Sequence, residues 1–276
     1  MRIAVKFGYN GIAFHGYQRQ KNVRTVEGEI YKWLIEKGLM ERKSGFRSAS
    51  RTDAGVSALG NVIAFNTPER TDKILRMLNT LSEDIWFFGY AAVENGFNPR
   101  HAKERWYRYI LSKHLCASQK KIKDALEMFE GKHNFLNFAR PCERNTTREI
   151  YRIECRDAGD FLFIDLYGSS FLWGMVRKII GTAILYACNK ISKEEIADAL
   201  SCKTHFDFPM ADPRFLILMD VKYGFEFTVS NAIKNQLNKK IERVFGTLVV
   251  HEQLYSGLKR LIFEGAVPES KHDAEK

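Results

Sequence analysis

Hydrophobic and polar positions in the first ninety-eight residues follow two periods. Segments with apolar residues at every second position predict strands, and segments with apolar residues three or four positions apart predict helices. Thr25 stands before the first of these helices and is a candidate N-cap residue. The predicted strands are 3–7, 46–50, 61–66 and 85–90, and the predicted helices are 25–37 and 72–81.

The same mixture of periods continues beyond residue 98. The sequence Asp-Ala-Gly-Asp at 157–160 predicts a tight turn that joins two strands into a hairpin. Strand–helix–strand units with hairpins in both halves indicate an α+β architecture. The predicted strands are 105–112, 149–156, 161–167 and 215–223, the predicted helices are 118–130, 171–188 and 193–199, and the tail over 227–263 is largely helical.

Length and turn signals predict three parts. A chain of 276 residues exceeds the usual size of one domain. Asn-Gly and Asn-Pro pairs within 94–99 mark a turn that suits a link between domains. We therefore predict an N-terminal α+β domain over 1–98, a second α+β domain over 99–223 and a helical extension over 224–276.

The charge of the chain favours a polyanionic partner. Lys and Arg number 43 against 33 Asp and Glu, which gives a formal net charge of +10. Residues 224–276 hold 8 basic and 7 acidic side chains, which leaves 35 against 26 in residues 1–223. The surface that faces the partner is therefore expected in the first 223 residues.

Cysteine spacing and hydropathy predict a cytoplasmic protein. The five cysteines, an odd number, match neither a disulfide framework nor paired zinc ligands, so reduced thiols are expected. The amino terminus alternates like a strand and lacks the apolar region of a signal peptide. The apolar stretch 171–188 has Arg177 and Lys178 at its middle, which indicates a buried helix rather than a membrane span.

A short stretch between two predicted strands is the first candidate for chemistry. Arg51 and Asp53 lie two positions apart, so an extended backbone points both side chains to the same side. In one pocket, a carboxylate can serve as a nucleophile or general base, and a guanidinium can bind a phosphate or the edge of a nucleobase. Two alternatives stay open: a turn in which Asp53 caps its own backbone before Gly55, and a surface ion pair.

Three further segments offer partners for such an acid. Arg19, Lys21 and Arg24 make a donor-rich loop that suits a phosphate backbone, or a solvated loop without that role. Tyr107 and Tyr109 share one face of a predicted strand, where they are either core residues or a surface for base stacking.

The third segment is the predicted helix after Ser170. Gly174, Arg177 and Gly181 fall at i, i+3 and i+7, on one helix face. Small neighbours allow close approach to another backbone while Arg177 reaches a buried acid. The alternative is a core helix whose arginine extends outward to solvent.

The stretch Arg-Thr-Asp-Ala-Gly-Val at 51–56 resembles the signature of the TruA family of tRNA pseudouridine synthases. Ser50 and Ser57 depart from the family pattern, as does Asn10 in the opening Tyr-Asn-Gly. The resemblance extends from about residue 2 to 223. Further matching segments are 15–20, 131–135, 171–177 and 211–213.

The resemblance implies a fold and an activity. The fold is that of pseudouridine synthases, with two α/β-sandwich halves (ferredoxin-like, RRM-like) of mainly antiparallel strands around a central cleft. The activity is conversion of uridine to pseudouridine at about positions 38–40 of the tRNA anticodon arm, without cofactor, nucleotide or metal. A homodimer is expected, and a membrane partner is not.

The resemblance also assigns roles. Asp53 is the catalytic residue, with Arg177 as its partner. Arg51 occupies or guides the stack from which the target base is flipped, Tyr107 stacks on that base, and Tyr109 supports it. Basic side chains of both halves are expected to hold the RNA, among them Arg19, Lys21, Arg24 and Arg105.

Two other function classes compete with this one. A non-catalytic tRNA-binding or folding module would keep the basic surface and the aromatic residues without Asp53, Tyr107 or Arg177, and all three are present. A metal-dependent nuclease would use Asp157, Asp160 and Asp165, although the first two fit a hairpin turn. The chain has no phosphate-binding Gly-rich loop, no dinucleotide fingerprint and no metal-ligand cluster in its sequence.

Overall fold

The chain forms two structural units, Met1–Val229 and Ser230–Lys276. The computed structural model describes residues 1–42, 45–69, 71–115, 118–140 and 145–263. Within these residues the first unit has nine strands, which are β1 (Arg2–Tyr9), β2 (Arg47–Ser48), β3 (Ser57–Asn66), β4 (Ile85–Ala92), β5 (Glu104–Ser112), β6 (Gly131–Asn134), β7 (Thr147–Ala158), β8 (Phe161–Gly168) and β9 (Leu216–Lys222). The helices are α1 (Val26–Glu36), α2 (Thr71–Leu78), α3 (Gln119–Glu127), α4 (Met175–Ala187), α5 (Lys193–Leu200) and, in the second unit, α6 (Asn231–Phe263).

One sheet runs through both predicted halves. Its strand order is β4-β1-β3-β9-β5-β8-β7-β6, and β2 pairs with β3 off this path. All neighbours are antiparallel except β3 and β9, which pair in parallel through Ser57 with Ile217 and Ala58 with Leu218. The α+β class with a mainly antiparallel sheet is therefore confirmed. The domain boundary after residue 98 stays a prediction.

The predicted elements agree with the structure, with three exceptions. Strand β3 begins at Ser57, four residues before the predicted start. The helix expected from 171 begins at Met175, because Gly174 has a φ of +78° and a left-handed residue cannot lie inside an α-helix. Strand β6, Gly-Lys-His-Asn, was not predicted because its sequence has no apolar alternation. Thr25 does cap α1, since its side chain accepts a hydrogen bond from the Gly28 amide at 3.2 Å.

Side-chain burial follows the predicted alternation most clearly in β5. Tyr107, Tyr109 and Leu111 are buried, whereas Trp106 and Arg108 on the opposite face are partly exposed. The face with the tyrosines is therefore the one that is covered by other parts of the unit.

The cysteines that the structure describes are free thiols. These are Cys155, Cys188 and Cys202, and burial raises the pKa of Cys155 to about 11. None of these three takes part in a disulfide within the described residues, and the reduced state of the thiols stays a prediction. Cys116 and Cys142 lie outside the described residues.

The second unit is described by its helix alone. Helix α6 runs for 33 residues, in agreement with the predicted helical extension. Its apolar side chains at Ile241, Phe245 and Leu248 are exposed. Among the helices of the described ranges, none is long and apolar enough to cross a membrane.

Helix α4 approaches the segment before β9 very closely. A Cβ atom built on Gly181 would lie 2.0 Å from the carbonyl oxygen of Pro209. This contact requires glycine, since backbone atoms cannot move away as the end of a side chain can. The predicted close approach of this helix to another backbone therefore exists at Gly181.

We predict that Gly181→Ala destabilises the protein by about 1–3 kcal/mol, because the new methyl group overlaps the Pro209 carbonyl. This loss should outweigh the ~1 kcal/mol that alanine gains over glycine inside a helix. Urea unfolding followed by circular dichroism measures the change. The matched control is Gly96→Ala, where a Cβ atom meets nothing within 4 Å, and equal stability of the two variants would contradict the prediction.

Candidate active site

Asp53 lies in the loop between β2 and β3, which its own backbone closes into a turn. The Val56 amide donates to the Asp53 carbonyl oxygen at 3.2 Å, and Gly55 has a φ of +85°. At the start of the loop, the Asn61 side-chain amide donates to the Ser50 carbonyl oxygen at 3.1 Å. The first bond closes the turn around Asp53, and the second ties the start of the loop to β3.

The amino-terminal segment supports this loop from one side. The Tyr9 hydroxyl is 2.8 Å from the Thr52 hydroxyl, and the Tyr17 amide donates to the Thr52 carbonyl oxygen at 3.1 Å. Gly16 has a φ of +96°, and a Cβ atom there would lie 3.2 Å from the Ala54 nitrogen. The His-Gly-Tyr stretch at 15–17 therefore packs behind the Asp53 loop.

Gly11 and Ser57 meet at the end of the same loop. The Gly11 amide donates to the Ser57 hydroxyl at 3.0 Å. A Cβ atom on Gly11 would lie 2.1 Å from the Val56 carbonyl oxygen, so the contact requires glycine. Asn10, which departs from the family pattern, accepts from the Ile12 amide at 3.3 Å and caps a short 3₁₀ turn. The departures at Asn10 and Ser57 thus each make a local hydrogen bond.

The carboxylate of Asp53 accepts two hydrogen bonds from distant residues. Trp173 donates its indole N–H to Oδ1 at 2.5 Å, and Arg177 donates Nη1 to Oδ2 at 2.6 Å. The donors lie 120 and 124 positions away in the sequence. The side chain of Asp53 is only 16% exposed. These contacts favour the site interpretation over a carboxylate that caps its own turn.

Arg177 is held by the segment before β9. Its Nε donates to the Ala211 carbonyl oxygen at 2.7 Å, while the Ala211 amide donates to the Arg177 carbonyl oxygen at 3.0 Å. Pro213 packs near Gly55, the residue two positions after Asp53. The predicted helix face of Gly174, Arg177 and Gly181 is wrong at Gly174, which lies before the helix.

The two tyrosines of β5 lie in the interior. Tyr107 is 8% exposed and packs edge-on against Phe171, with ring centres 5.1 Å apart. Burial, opposed by the charge of Arg105 and assisted by that of Asp53, raises the pKa of the Tyr107 hydroxyl. Burial likewise raises the pKa of Tyr109 to about 12. Both hydroxyls are therefore neutral and able to donate at physiological pH.

Arg105 is buried, and its guanidinium makes four hydrogen bonds within the protein. Its guanidinium donates to the carbonyl oxygens of Ala49 at 3.1 Å and Arg100 at 2.8 Å, to the Ser169 carbonyl oxygen, and to the Ser50 hydroxyl at 3.1 Å. It therefore ties the start of the Asp53 loop to the chain that leads into α4. This position favours a structural role, and the expected contact of Arg105 with RNA stays a prediction.

The other predicted basic residues lie at the surface. Arg24 pairs with Glu29 at 2.6 Å and Asp84 at 2.9 Å, so its charge is largely neutralised. Arg19 lies over the Tyr31 ring at 4.0 Å. Of the same group, Arg24 is the least free to meet a phosphate.

Lys21 and Arg51 are exposed. Arg51 also stands two positions before Asp53 in the sequence. It is therefore the exposed cation nearest along the chain to the buried acid.

The acids of the nuclease alternative do not converge. Asp165 accepts from Trp106 and Arg108, and Asp157 pairs with Lys113 at 2.6 Å at the end of β7, just before the hairpin turn. In the ranges that the structure describes, no group of three His, Cys, Asp or Glu side chains could hold a metal ion. The geometry of these ranges thus does not support the nuclease alternative.

Trp173 is the residue at this site that the sequence did not predict. It falls at a variable position of the matching segment 171–177, so the resemblance carried no information about it. Spacing along the chain offered no valid signal either, because Trp173 precedes α4 and is separated from it by Gly174, whose φ is +78°.

Comparison with known proteins gives the family. A tRNA pseudouridine synthase family model matches residues 125–224. A tRNA pseudouridine synthase A of Pyrococcus abyssi is 41% identical over 249 residues, which cover 89% of this chain and 94% of the relative. The Pyrococcus furiosus and Methanobrevibacter smithii proteins of the same name are 39% and 36% identical, each over 94% of this chain and over 97% and 98% of their own lengths.

The chain belongs to the tRNA pseudouridine synthase family. Identities of this size over nearly the whole length of each relative decide the point. The prediction that the chain is a pseudouridine synthase, which is an isomerase, is therefore confirmed.

We predict that Arg177→Met destabilises the protein by about 2–4 kcal/mol, because it leaves a mostly buried carboxylate with one donor fewer. Thermal and urea unfolding measure the change. Arg214→Met is the matched control, since Arg214 pairs with Asp212 at the same 2.6 Å but is 64% exposed. Its loss should cost no more than about 1 kcal/mol, and a cost equal to that of Arg177→Met would refute the expectation.

Proposed function

We propose that this protein isomerises uridine to pseudouridine in the anticodon arm of tRNA, at about positions 38–40, with Asp53 as its catalytic residue. The observation that carries the proposal is the carboxylate of Asp53, held on both oxygens by Trp173 and Arg177. This carboxylate is mostly buried, paired with a cation and carried by a fixed loop. Such a group is held in place to react with a bound substrate.

The reaction needs a group at the sugar or the base and no change of oxidation state. The C1′–N1 glycosidic bond breaks, the uracil turns over, and a C1′–C5 bond forms. The proton on C5 leaves and N1 gains one, so atoms and electrons balance without a further reactant. The carboxylate is the form of Asp53 that can attack the nucleotide or accept a proton from it. The guanidinium of Arg177 compensates the negative charge of that carboxylate.

Access to the nucleotide requires that the uridine leave its stack. Base flipping costs a few kcal/mol and is cheapest in a bent, partly unstacked RNA such as a loop. Arg51, exposed and two positions from Asp53, is suited to enter the vacated space. Tyr107 would stack on the flipped base, its plane fixed by Phe171, and Tyr109 would support it from the same strand face.

The remaining features of the proposal rest on family membership and charge. The net charge of +10 favours binding of tRNA, with the exposed Arg19, Lys21 and Arg24 among the basic residues that hold it. A homodimer, a cytoplasmic location and a division after residue 98 into two domains around a cleft belong to the same proposal.

The alternative of a non-catalytic tRNA-binding module disagrees with the family to which the chain belongs. The buried charge pair weighs against it, since a module that only binds RNA has no use for a carboxylate shielded from solvent. The pair costs desolvation energy that a purely structural position could avoid with apolar residues.

We predict that Asp53→Asn abolishes pseudouridine formation and leaves tRNA affinity within about threefold, because the amide keeps the shape but lacks the charge. Tritium release from carbon 5 of labelled uridine measures the reaction, and filter binding measures affinity. Asp157→Asn, which removes an exposed carboxylate at the end of β7, serves as the control and should stay active. Product formation by the Asp53→Asn variant at the wild-type rate would exclude the proposed role.

We predict that Tyr107→Leu lowers kcat/KM by about 10–100-fold, because stacking of an aromatic ring on a base contributes ~1–3 kcal/mol. Tyr107→Phe keeps the ring and should stay within about fivefold of wild type. The same tritium assay measures both, with melting temperatures to exclude unfolding. Equal losses in the two variants would assign the effect to the hydroxyl instead of the ring.

A further inference from the structure

Trp173 combines exposure with an inward polar contact. The residue is 46% exposed, yet its indole N–H is used on Asp53 Oδ1 at 2.5 Å. The guanidinium of Arg140 lies over the indole ring at 4.4 Å, and the Arg140 amide donates to the Trp173 carbonyl oxygen at 2.9 Å. Both the ring and the backbone of Trp173 are therefore held, although it is not a core residue.

Arg177 by itself leaves one oxygen of Asp53 unsupported. An arginine commonly holds a carboxylate through two parallel N–H groups. In Arg177, however, Nε donates to the Ala211 carbonyl oxygen at 2.7 Å, and Nη1 alone reaches Asp53 Oδ2. A carboxylate held at one oxygen can turn about its Cβ–Cγ bond, since this torsion has broad minima.

The fold contains a second set of the same three residue types, which shows the alternative arrangement. Asp165 accepts from Trp106 Nε1 at 2.7 Å, and Arg108 donates to both of its oxygens, each at 2.8 Å. There the arginine fixes both oxygens, so the tryptophan adds a bond to an acid that is already held. At Asp53 the tryptophan supplies the only contact to Oδ1 among the hydrogen bonds of the described residues.

We propose that Trp173 is a positioning residue for Asp53, which with Arg177 fixes the plane of the carboxylate for reaction with the nucleotide. This inference rests on the proposed function of Asp53. A misplacement of about 1 Å in a reacting group can cost about 100-fold in rate. Loss of the bond to Oδ1 removes the contact that opposes rotation of the carboxylate. Trp173 does not itself act on substrate.

The test is Trp173→Phe, which keeps an aromatic ring for Arg140 and removes the N–H. We expect kcat to fall about 10–100-fold while KM for tRNA changes less than about threefold. Trp106→Phe is the matched control, because Arg108 still holds both oxygens of Asp165, and its kcat should stay within about twofold. An unchanged kcat in Trp173→Phe overturns the proposal, as does an increase, which would mean that the indole blocks the acid.

A second measurement does not depend on activity. The chain has four tryptophans, so ¹⁵N-labelled protein gives four indole N–H resonances, and the one absent from Trp173→Phe belongs to Trp173. In Asp53→Asn this resonance should move strongly upfield, while that of Trp106 stays in place. A Trp173 resonance that ignores the substitution at Asp53 overturns the proposal even if Trp173→Phe is slow.

The two measurements separate failure of the inference from failure of the proposed function. If wild-type protein releases no tritium from uridine in tRNA, the proposed function fails and the inference that rests on it falls with it, although the resonance shift would still report the contact. If wild type is active and Trp173→Phe is equally active, only the role of Trp173 is refuted.

Discussion

The ion pair between Asp53 and Arg177 is the constraint around which the first unit is built. It joins a loop between two strands to a helix 124 positions away, at a distance of 2.6 Å. Either charge alone in that position would be costly, because both side chains are mostly shielded from water. Other residues therefore hold each partner of the ion pair in place. Tyr9 and Tyr17 hold the loop, and Ala211 holds the arginine.

The sheet makes this pairing possible. Strand β9 is the last strand of the unit and lies between β3 and β5. After α4 and α5 the chain therefore returns to the middle of the sheet. The parallel pair β3–β9 fixes the loop of Asp53 beside the segment 211–213 that holds Arg177. Arg105 adds a second tie, because its one guanidinium bonds the start of the loop and the chain before α4. Its burial shows that a basic residue in a basic protein can be structural.

The glycines around the site explain why a short loop can be held from so many directions. Gly11 and Gly16 allow the amino-terminal segment to contact the loop backbone, and Gly181 allows α4 to contact Pro209. These three contacts are between backbone atoms, which vary less in position than long side chains do. The acid is therefore positioned mainly by main chain, with Trp173 and Arg177 as the side chains that complete its surroundings.

The sequence by itself determined most of the elements, the α+β class and the candidate acid, since periodicity and local motifs are properties of neighbouring residues. It predicted Thr25 as a cap and Arg177 as a partner of a buried acid, but left Asp53 equally suited to cap its own turn. Only the tertiary structure shows which groups hold the carboxylate, because they come from residues more than a hundred positions away. For the same reason, only the tertiary structure shows that Trp173 contacts Asp53, that Arg105 is buried and that Gly174 lies before the helix. Which polar groups meet is set by long-range packing, and no local pattern encodes it.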